Sequence, residues 1–174
     1  MAASYPTSVK SFTTKVDGVD YPQASHINDL QLEVSAIETK LIAGRYVLKT
    51  GFQNATPADA TNYYFGSWEN LNFNTTAYER KIYILQAGTI VGADVLFRQT
   101  AGSAETSTMS IRLNNTTDTT ISSSITNSAT ETHFSNTGLS IAVAVGNAIE
   151  IKWVTPTWSS NPTAVYCQVH LLVA

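Results

Sequence analysis

The chain has 174 residues, of which 43% are hydrophobic and only 13% are charged, with a net charge of −3 and a single cysteine. This length allows one domain with a hydrophobic core plus a small appendage. Without a run of Lys or Arg, binding to nucleic acid through phosphate contacts is not expected. No apolar stretch approaches the roughly 20 residues of a membrane span. The first six residues lack the features of a signal peptide, so we expect synthesis in the cytoplasm.

The first segment, residues 1–24, has the character of an extended arm. Asp17-Gly18 is a strong signal for a type I′ turn, and the residues on either side of it alternate like two short strands. We therefore expect a hairpin within the arm. Because an isolated two-stranded hairpin is marginally stable in water, the arm is expected to become ordered against a partner.

The second segment, residues 25–44, is the only helix that the sequence predicts. Ser25 is a suitable N-cap, and Gly44 can adopt the left-handed conformation that ends a helix. The apolar residues between them follow the 3-4 spacing of a coiled coil. The expected contacts between subunits are made by Ile27, Leu30, Val34, Ile37 and Leu41.

Isoleucine among these core positions favours a trimer, so we expect a homotrimer. Two heptads are marginal as an isolated coil, and the domain that follows would have to help hold the chains together. The alternative is a helix that packs on its own β domain.

From residue 45 to residue 174 the apolar residues recur with a period of two, which predicts β-strands. Strands are expected at 46–52, 63–73, 80–86, 90–98, 109–113, 139–145, 149–153 and 165–173. Gly146-Asn147 is expected to form a tight turn. About eight short strands without a second helix indicate a mainly β fold, an antiparallel β-sandwich of the jelly-roll kind. Cys167 falls on the inward side of the last strand, so we expect a small core residue rather than a reactive thiol.

No residue pattern indicates catalysis, a cofactor or a metal, and we expect a protein that is not an enzyme. The three histidines, at positions 26, 133 and 170, lack metal-ligand spacings, and the G-x-S-x-G motif is absent. Glycoside hydrolysis is the rival, since it needs two carboxylates about 5–10 Å apart. The sandwich carries eight carboxylates that the sequence cannot pair: Asp59, Glu69, Glu79, Asp94, Glu105, Asp118, Glu131 and Glu150.

Aromatic residues in two places are candidates for recognition at the surface of the sandwich. Tyr63, Tyr64 and Trp68 cluster early in it, and Trp158 lies in a loop bounded by two prolines. A ring held in such a loop loses little conformational entropy on binding and could stack on a sugar, which makes host surface carbohydrate a candidate ligand. The alternative is that these rings pack in the sandwich or against a neighbouring subunit.

A resemblance to structural proteins of tailed bacteriophages lies in the segment Ala24-Ser-His-Ile-Asn-Asp-Leu-Gln-Leu-Glu-Val-Ser-Ala-Ile-Glu-Thr-Lys-Leu41. In those proteins such a motif follows an arm similar to Val16-Asp-Gly-Val-Asp-Tyr-Pro22. The residues that match the motif are His26, Ile27, Asn28, Leu30, Glu33, Ala36, Ile37 and Glu38. The later segments Gln86-Ala-Gly-Thr-Ile-Val91, Asn114-Asn-Thr-Thr117 and Thr155-Pro-Thr-Trp158 are similar to sandwich domains of phage fibre and head-surface proteins.

The resemblance implies a modular component of the virion. Residues 1–24 would attach to other virion proteins of the capsid, portal, neck or tail, the helix would trimerise, and residues 45–174 would project outward as a knob. Because the chain has no long shaft, a short head fibre or capsid decoration protein is the expected type. The alternatives are a tail or neck fibre that binds a host surface glycan as an adhesin, and a cellular lectin-like or cytokine-like trimeric module.

Overall fold

The computed structural model describes residues 24–66, 73–77, 80–100, 105–126 and 131–174. The chain divides into two compact units between Gly44 and Arg45, at the predicted junction of helix and sandwich. Except for Ala24, the predicted arm lies outside the described residues, so its hairpin stays a prediction.

In the first unit, the helix α1 comprises Ala24–Ala43. It begins one residue before the predicted start, so Ser25 lies inside its first turn rather than at the N-cap. Gly44 follows the helix with a φ of 54°. This is the left-handed conformation that the sequence predicts for the residue that ends the helix, and that prediction is confirmed.

The second unit contains ten described β-strands in two antiparallel sheets. The strands are β1 Tyr46–Ala55, β2 Asn62–Phe65, β3 Ile82–Tyr83, β4 Gly88–Arg98, β5 Thr106–Leu113, β6 Thr117–Thr126, β7 Thr132–Asn136, β8 Ile141–Val143, β9 Ala148–Val154 and β10 Val165–Val173. Sheet A has the strand order β1-β10-β4-β7, with β8 also paired to β4. Sheet B has the order β2-β9-β5-β6, with β3 also paired to β9.

The strand pairing is that of one long hairpin folded over itself. β5 and β6 meet at its tip, and moving away from the tip β4 pairs with β7, β2 with β9 and β1 with β10. Successive pairs alternate between sheet B and sheet A, so the hairpin wraps around the core, as eight strands do in a jelly roll. The predicted mainly β fold, with an antiparallel sandwich of the jelly-roll kind, is confirmed.

The tip of this hairpin depends on Asn114 and Asn115, whose φ angles are 51° and 62°. A type I′ turn requires a positive φ at both central residues, which asparagine adopts more readily than most residues. Thr116 N donates to Leu113 O at 3.1 Å and closes the turn. The Asn114 N–H also donates to Ala148 O at 2.8 Å, and Asn114 Oδ1 accepts from Ala148 N at 2.9 Å. The turn is thereby tied to the start of β9.

Two strands, β6 and β7, were not predicted. Each lies at the edge of its sheet, and β6 is rich in Ser and Thr, with Ile121 and Ile125 as its buried apolar residues. An edge strand has less of its surface against the core, so it needs fewer apolar residues and loses the alternation on which the prediction depends.

The predicted turn at Gly146 is present, with Val145 and Gly146 as its central residues. Asn147 N donates to Ala144 O at 3.0 Å, and Gly146 has a φ of 84°, which suits a type II turn with glycine at its third position. The turn joins β8 in sheet A to β9 in sheet B, so it forms a corner between the sheets rather than a hairpin.

The core between the sheets is centred on Trp153, which is fully buried. Its ring contacts those of Phe52, Tyr63, Phe73 and Phe97, with centroid distances between 5.4 and 5.8 Å. Phe52 and Phe97 belong to sheet A, whereas Tyr63 and Trp153 belong to sheet B. These five rings, the aromatic cluster, therefore join the two sheets.

Candidate functional site

The predicted coiled-coil contacts of α1 are open to solvent in the single chain wherever their side chains are described. Ile27 and Leu30 are each 54% exposed, and Val34 and Ile37 are each 44% exposed. The side chain of Leu41 lies outside the described ones. The four exposed residues form one stripe along α1, the helical seam, in which about half of the surface of each side chain is open to solvent.

A different face of α1 is covered. Glu33 is only 5% exposed, and Asp29 and Ala36 are partly buried. Leu32, which lies outside the seam, is 48% exposed. The single chain therefore buries a polar face of the helix and leaves its apolar seam in solvent.

The aromatic residues predicted to recognise a ligand are buried wherever they are described. Tyr63 is 6%, Tyr64 9% and Trp158 5% exposed, and Trp68 lies outside the described residues. The prediction of surface recognition is therefore wrong for these three rings. Tyr63 belongs to the aromatic cluster, and its hydroxyl accepts a hydrogen bond from Ala58 N at 2.7 Å.

Trp158 is turned inward by contacts between its loop and a loop that precedes β2. Its backbone N–H donates to Asp59 Oδ1 at 3.1 Å, across 99 residues of sequence. Thr155 Oγ1 accepts from Thr61 N and donates to Ala58 O, both at 2.9 Å. These contacts between distant residues fix the orientation of the ring, which the composition of its own loop does not reveal.

Two of the eight scattered carboxylates come together on the outer face of sheet B. Asp118 Oδ1 accepts from Arg112 Nη1 at 2.7 Å, and Asp118 Oδ2 accepts from Lys152 Nζ at 2.8 Å. Arg112 Nε also lies 3.8 Å from Glu150 Oε1. Burial acts to raise the pKa of Asp118, but the hydrogen bonds and positive charges of Lys152 and Arg112 outweigh it and lower that pKa. We call these four residues the charged cluster.

Glu150 is the buried member of this cluster, with 1% of its surface exposed. In the amide orientation that satisfies its neighbours, Asn115 donates to Glu150 Oε1 at 2.9 Å and accepts from Lys81 Nζ at 2.9 Å. Burial raises the pKa of Glu150 to about 7, although the charges of Arg112 and Lys81 act to lower it.

One raised and one lowered carboxyl pKa is the combination that acid–base catalysts use. Here, however, Arg112 lies beside both carboxylates and Asn115 approaches Glu150 from the hairpin tip. With 1% exposure, Glu150 has no surface at which a substrate could meet it. The arrangement therefore connects β5 and the β5–β6 turn to β9, and we assign it a structural role.

We expect the charged cluster to make stability depend on pH. Between about pH 4.5, the usual pKa of a glutamate, and about 7, folded Glu150 keeps a proton that the unfolded chain has released. The free energy of unfolding should therefore fall by a few kcal/mol over this range, since one pKa unit corresponds to about 1.4 kcal/mol. The lowered pKa of Asp118 makes the free energy of unfolding rise with pH instead, but only below pH 3.8, the usual pKa of an aspartate.

The measurement is urea denaturation of the wild type and of Glu150→Gln at several values between pH 4.5 and 8. Glutamine keeps the shape of the side chain and cannot ionise, so the part of the pH dependence that belongs to Glu150 should disappear. All other residues are the same in the two proteins, so the difference between their pH profiles isolates the contribution of position 150. Parallel pH profiles for the two proteins would contradict the assignment.

The outer face of sheet A carries ionisable and apolar side chains around an open groove. His133 Nε2 lies 3.3 Å from Asp94 Oδ1, and both side chains are more than half exposed. His170 stands opposite Asp94 in the register of β10 and β4. The groove has a volume of about 270 Å³ and is lined by Val47, Gly92, Ala93, Asp94, Thr137, His170 and Leu172. No three His, Cys, Asp or Glu side chains in the described ranges are placed to hold a metal ion.

Cys167 is 1% exposed within the core, and burial raises the pKa of its thiol. It is the small core residue that the alternation of β10 predicts. In the part of the chain that the structure describes, no helix combines the length and the apolar character needed to cross a membrane.

Comparison with known proteins shows little similarity. No protein-family model matches the chain, and no curated protein matches it. Among solved structures, it is similar to a crystal structure of FLHE at 8% identity, over 75% of this chain and 97% of that chain, with a TM-score of 0.44. A likeness at this level carries no argument about function.

Proposed function

We propose that the protein is a structural component of a tailed-phage particle, a homotrimeric short head fibre or decoration-type appendage. Residues 1–24 attach to other virion proteins, α1 forms a short three-stranded coil, and the jelly roll of residues 45–174 is displayed on the outside. The observation that carries the proposal is the helical seam, which leaves four apolar side chains 44–54% exposed.

The energetics of the seam favour association with copies of the same chain. Burying a Val, Leu or Ile side chain gains roughly 1.5–3 kcal/mol. Identical helices present identical stripes, and a 3-4 spacing is the one that packs side chains of one helix between those of the next. In the heptad defined by this spacing, Ile27 lies at an a position and Ile37 at a d position. Isoleucine at both kinds of core position favours trimers over dimers.

The resemblance to phage structural proteins gives further support. Three of its matching positions, Ile27, Leu30 and Ile37, are exposed seam residues. The similar segment Asn114-Asn-Thr-Thr117 forms the tip of the hairpin around which the sandwich is wound. Recognition of host carbohydrate through Tyr63, Tyr64 or Trp158 is not part of the proposal, because these rings are buried.

Two measurements test the proposal. Light scattering on the purified chain should give about three times its mass of 18.8 kDa. Removing residues 1–23, which leaves all of α1, should keep the trimer but abolish its incorporation into phage particles, as seen by electron microscopy of the particles. A monomer at micromolar concentration would refute the trimer, and normal decoration by the shortened chain would refute the role of the arm.

A further inference from the structure

A second apolar surface lies at one end of the sandwich. Tyr83 is 60%, Leu85 89% and Val145 67% exposed. Ile84, between the first two, is only 1% exposed. Tyr83 ends β3, and the side chains of Tyr83 and Leu85, on either side of the buried Ile84, both stay in solvent. We call Tyr83, Leu85 and Val145 the loop-end patch.

Backbone hydrogen bonds hold the two loops of this patch together. Ile84 N donates to Asn147 O at 2.8 Å, and Gly146 N donates to Ile84 O at 2.9 Å. Leu85 follows Ile84 in the chain and Val145 precedes Gly146, so these hydrogen bonds bring the backbone at Leu85 close to the backbone at Val145. The patch is thus formed in the single chain and needs no rearrangement before it can meet a partner.

The patch lies at the end of the sandwich where the chain enters it from α1. The hydroxyl of Tyr46, the first residue of β1, donates to Gln86 O at 2.6 Å. Gln86 directly follows Leu85, and Tyr46 lies three residues after Ala43, the last residue of α1. Since neighbouring Cα atoms are about 3.8 Å apart, the Cα atoms of Ala43 and Tyr46 are at most about 11 Å apart.

The helical seam alone is too small for a stable assembly. Five core side chains per helix bury about 300–600 Å² at roughly 60–120 Å² each. Stable protein–protein interfaces bury about 800 Å² on each partner. A trimer therefore needs a second contact surface, and it has to lie where the coil already brings the copies together.

We infer that the loop-end patch is this second self-association surface, which packs against another copy of the chain within the trimer. The inference rests on the proposed trimer. Helices in a coil lie about 8–10 Å apart, so the short link from Ala43 to Tyr46 gathers the three copies of this end of the sandwich around one axis. Apolar side chains with 60–89% of their surface exposed then supply the area that the seam lacks.

The test uses the full chain and the variants Leu85→Asp and Val145→Asp, studied by sedimentation equilibrium over a range of concentrations. Both side chains are exposed, so the variants should fold, which far-UV circular dichroism and thermal melting would verify. Because each trimer would lose three such buried side chains, the concentration at which half of the chains are associated should rise by about tenfold or more.

The matched control is Tyr166→Asp. Tyr166 is a large apolar side chain with 40% exposure, and it pairs with Arg98 at the start of β10. Val173, which pairs with Tyr46, lies at the other end of β10. Tyr166 is therefore at the end of this strand away from the loop-end patch. This variant should associate like the wild type. A loss of association in the control equal to that in Leu85→Asp would overturn the inference, because any added charge would then have the same effect.

The outcomes separate this inference from the proposal on which it rests. A wild-type monomer would refute both. A wild-type trimer whose association is unchanged by Leu85→Asp and Val145→Asp would overturn the second surface alone. If these variants stay trimeric but no longer join phage particles, the patch contacts the particle rather than another copy, which also overturns the inference.

Discussion

Replacing Trp153 with alanine is expected to lower the free energy of unfolding by about 3–5 kcal/mol, the usual cost of truncating a buried tryptophan. The ring is fully buried and contacts four other aromatic rings. Because Phe52 and Phe97 belong to sheet A and Trp153 to sheet B, the cavity would open between the two sheets. Domains of this size are stable by about 5–15 kcal/mol, so the loss would remove a large part of the total.

Urea denaturation followed by circular dichroism, at one protein concentration, would measure this loss. Trp153→Phe keeps an aromatic ring in the cluster and should cost clearly less than the alanine variant. Tyr166→Ala, at a position with 40% exposure, should cost much less than Trp153→Ala, because more of its side chain is in solvent in the folded protein. A loss below about 1 kcal/mol for Trp153→Ala would mean that the aromatic cluster does not join the sheets as described.

Replacing Ile37 with aspartate is expected to convert the proposed trimer into a monomer of 18.8 kDa at micromolar concentration. In the proposed coil, three copies of this residue meet near one axis. Three carboxylates there would lose their hydration, at a cost of several kcal/mol each, and would repel one another. That cost, together with the lost burial of Ile37 itself, offsets much of what the remaining seam residues gain by burial, and the loss of translational and rotational freedom on association offsets the rest.

Leu32→Asp is the matched control for this variant. Leu32 is 48% exposed, close to the 44% of Ile37, and it lies on the same helix outside the seam. The two variants add the same charge, and Leu32→Asp loses slightly more helix propensity than Ile37→Asp, so a larger effect of Ile37→Asp has to come from its position. Light scattering should show a monomer for Ile37→Asp and a trimer for Leu32→Asp. Equal masses for the two variants would contradict a coil built on the seam.

The central strands were the most predictable part of the fold. Ile149, Ile151 and Trp153 alternate with polar residues in β9, and all three are buried. β10 shows the same regularity from Val165 to Val173. Both strands have neighbours on either side within their sheets, so one face of each is in contact with the core along its whole length, and the apolar period is complete.

The candidate sites were much less predictable, because each depends on residues that are distant in sequence. Trp158 has the loop composition of an exposed ring, yet the ring is buried, and its backbone N–H donates to Asp59, which lies 99 residues earlier in the chain. Glu150 resembles any other acidic residue on the outer side of a strand. It is buried because Arg112 and the hairpin tip at Asn115 lie over it.

By itself, the amino-acid sequence determined the mainly β fold, the jelly-roll type of sandwich, the helix and the glycine that ends it, because these follow from the local period of apolar residues and from the conformations that single residues allow. Only the tertiary structure decided which apolar side chains stay in solvent. The helical seam and the loop-end patch have the same residue types as the core, but only the core residues are enclosed between the two sheets of the jelly roll. That difference depends on which strands and loops become neighbours in space, a property that no local pattern carries.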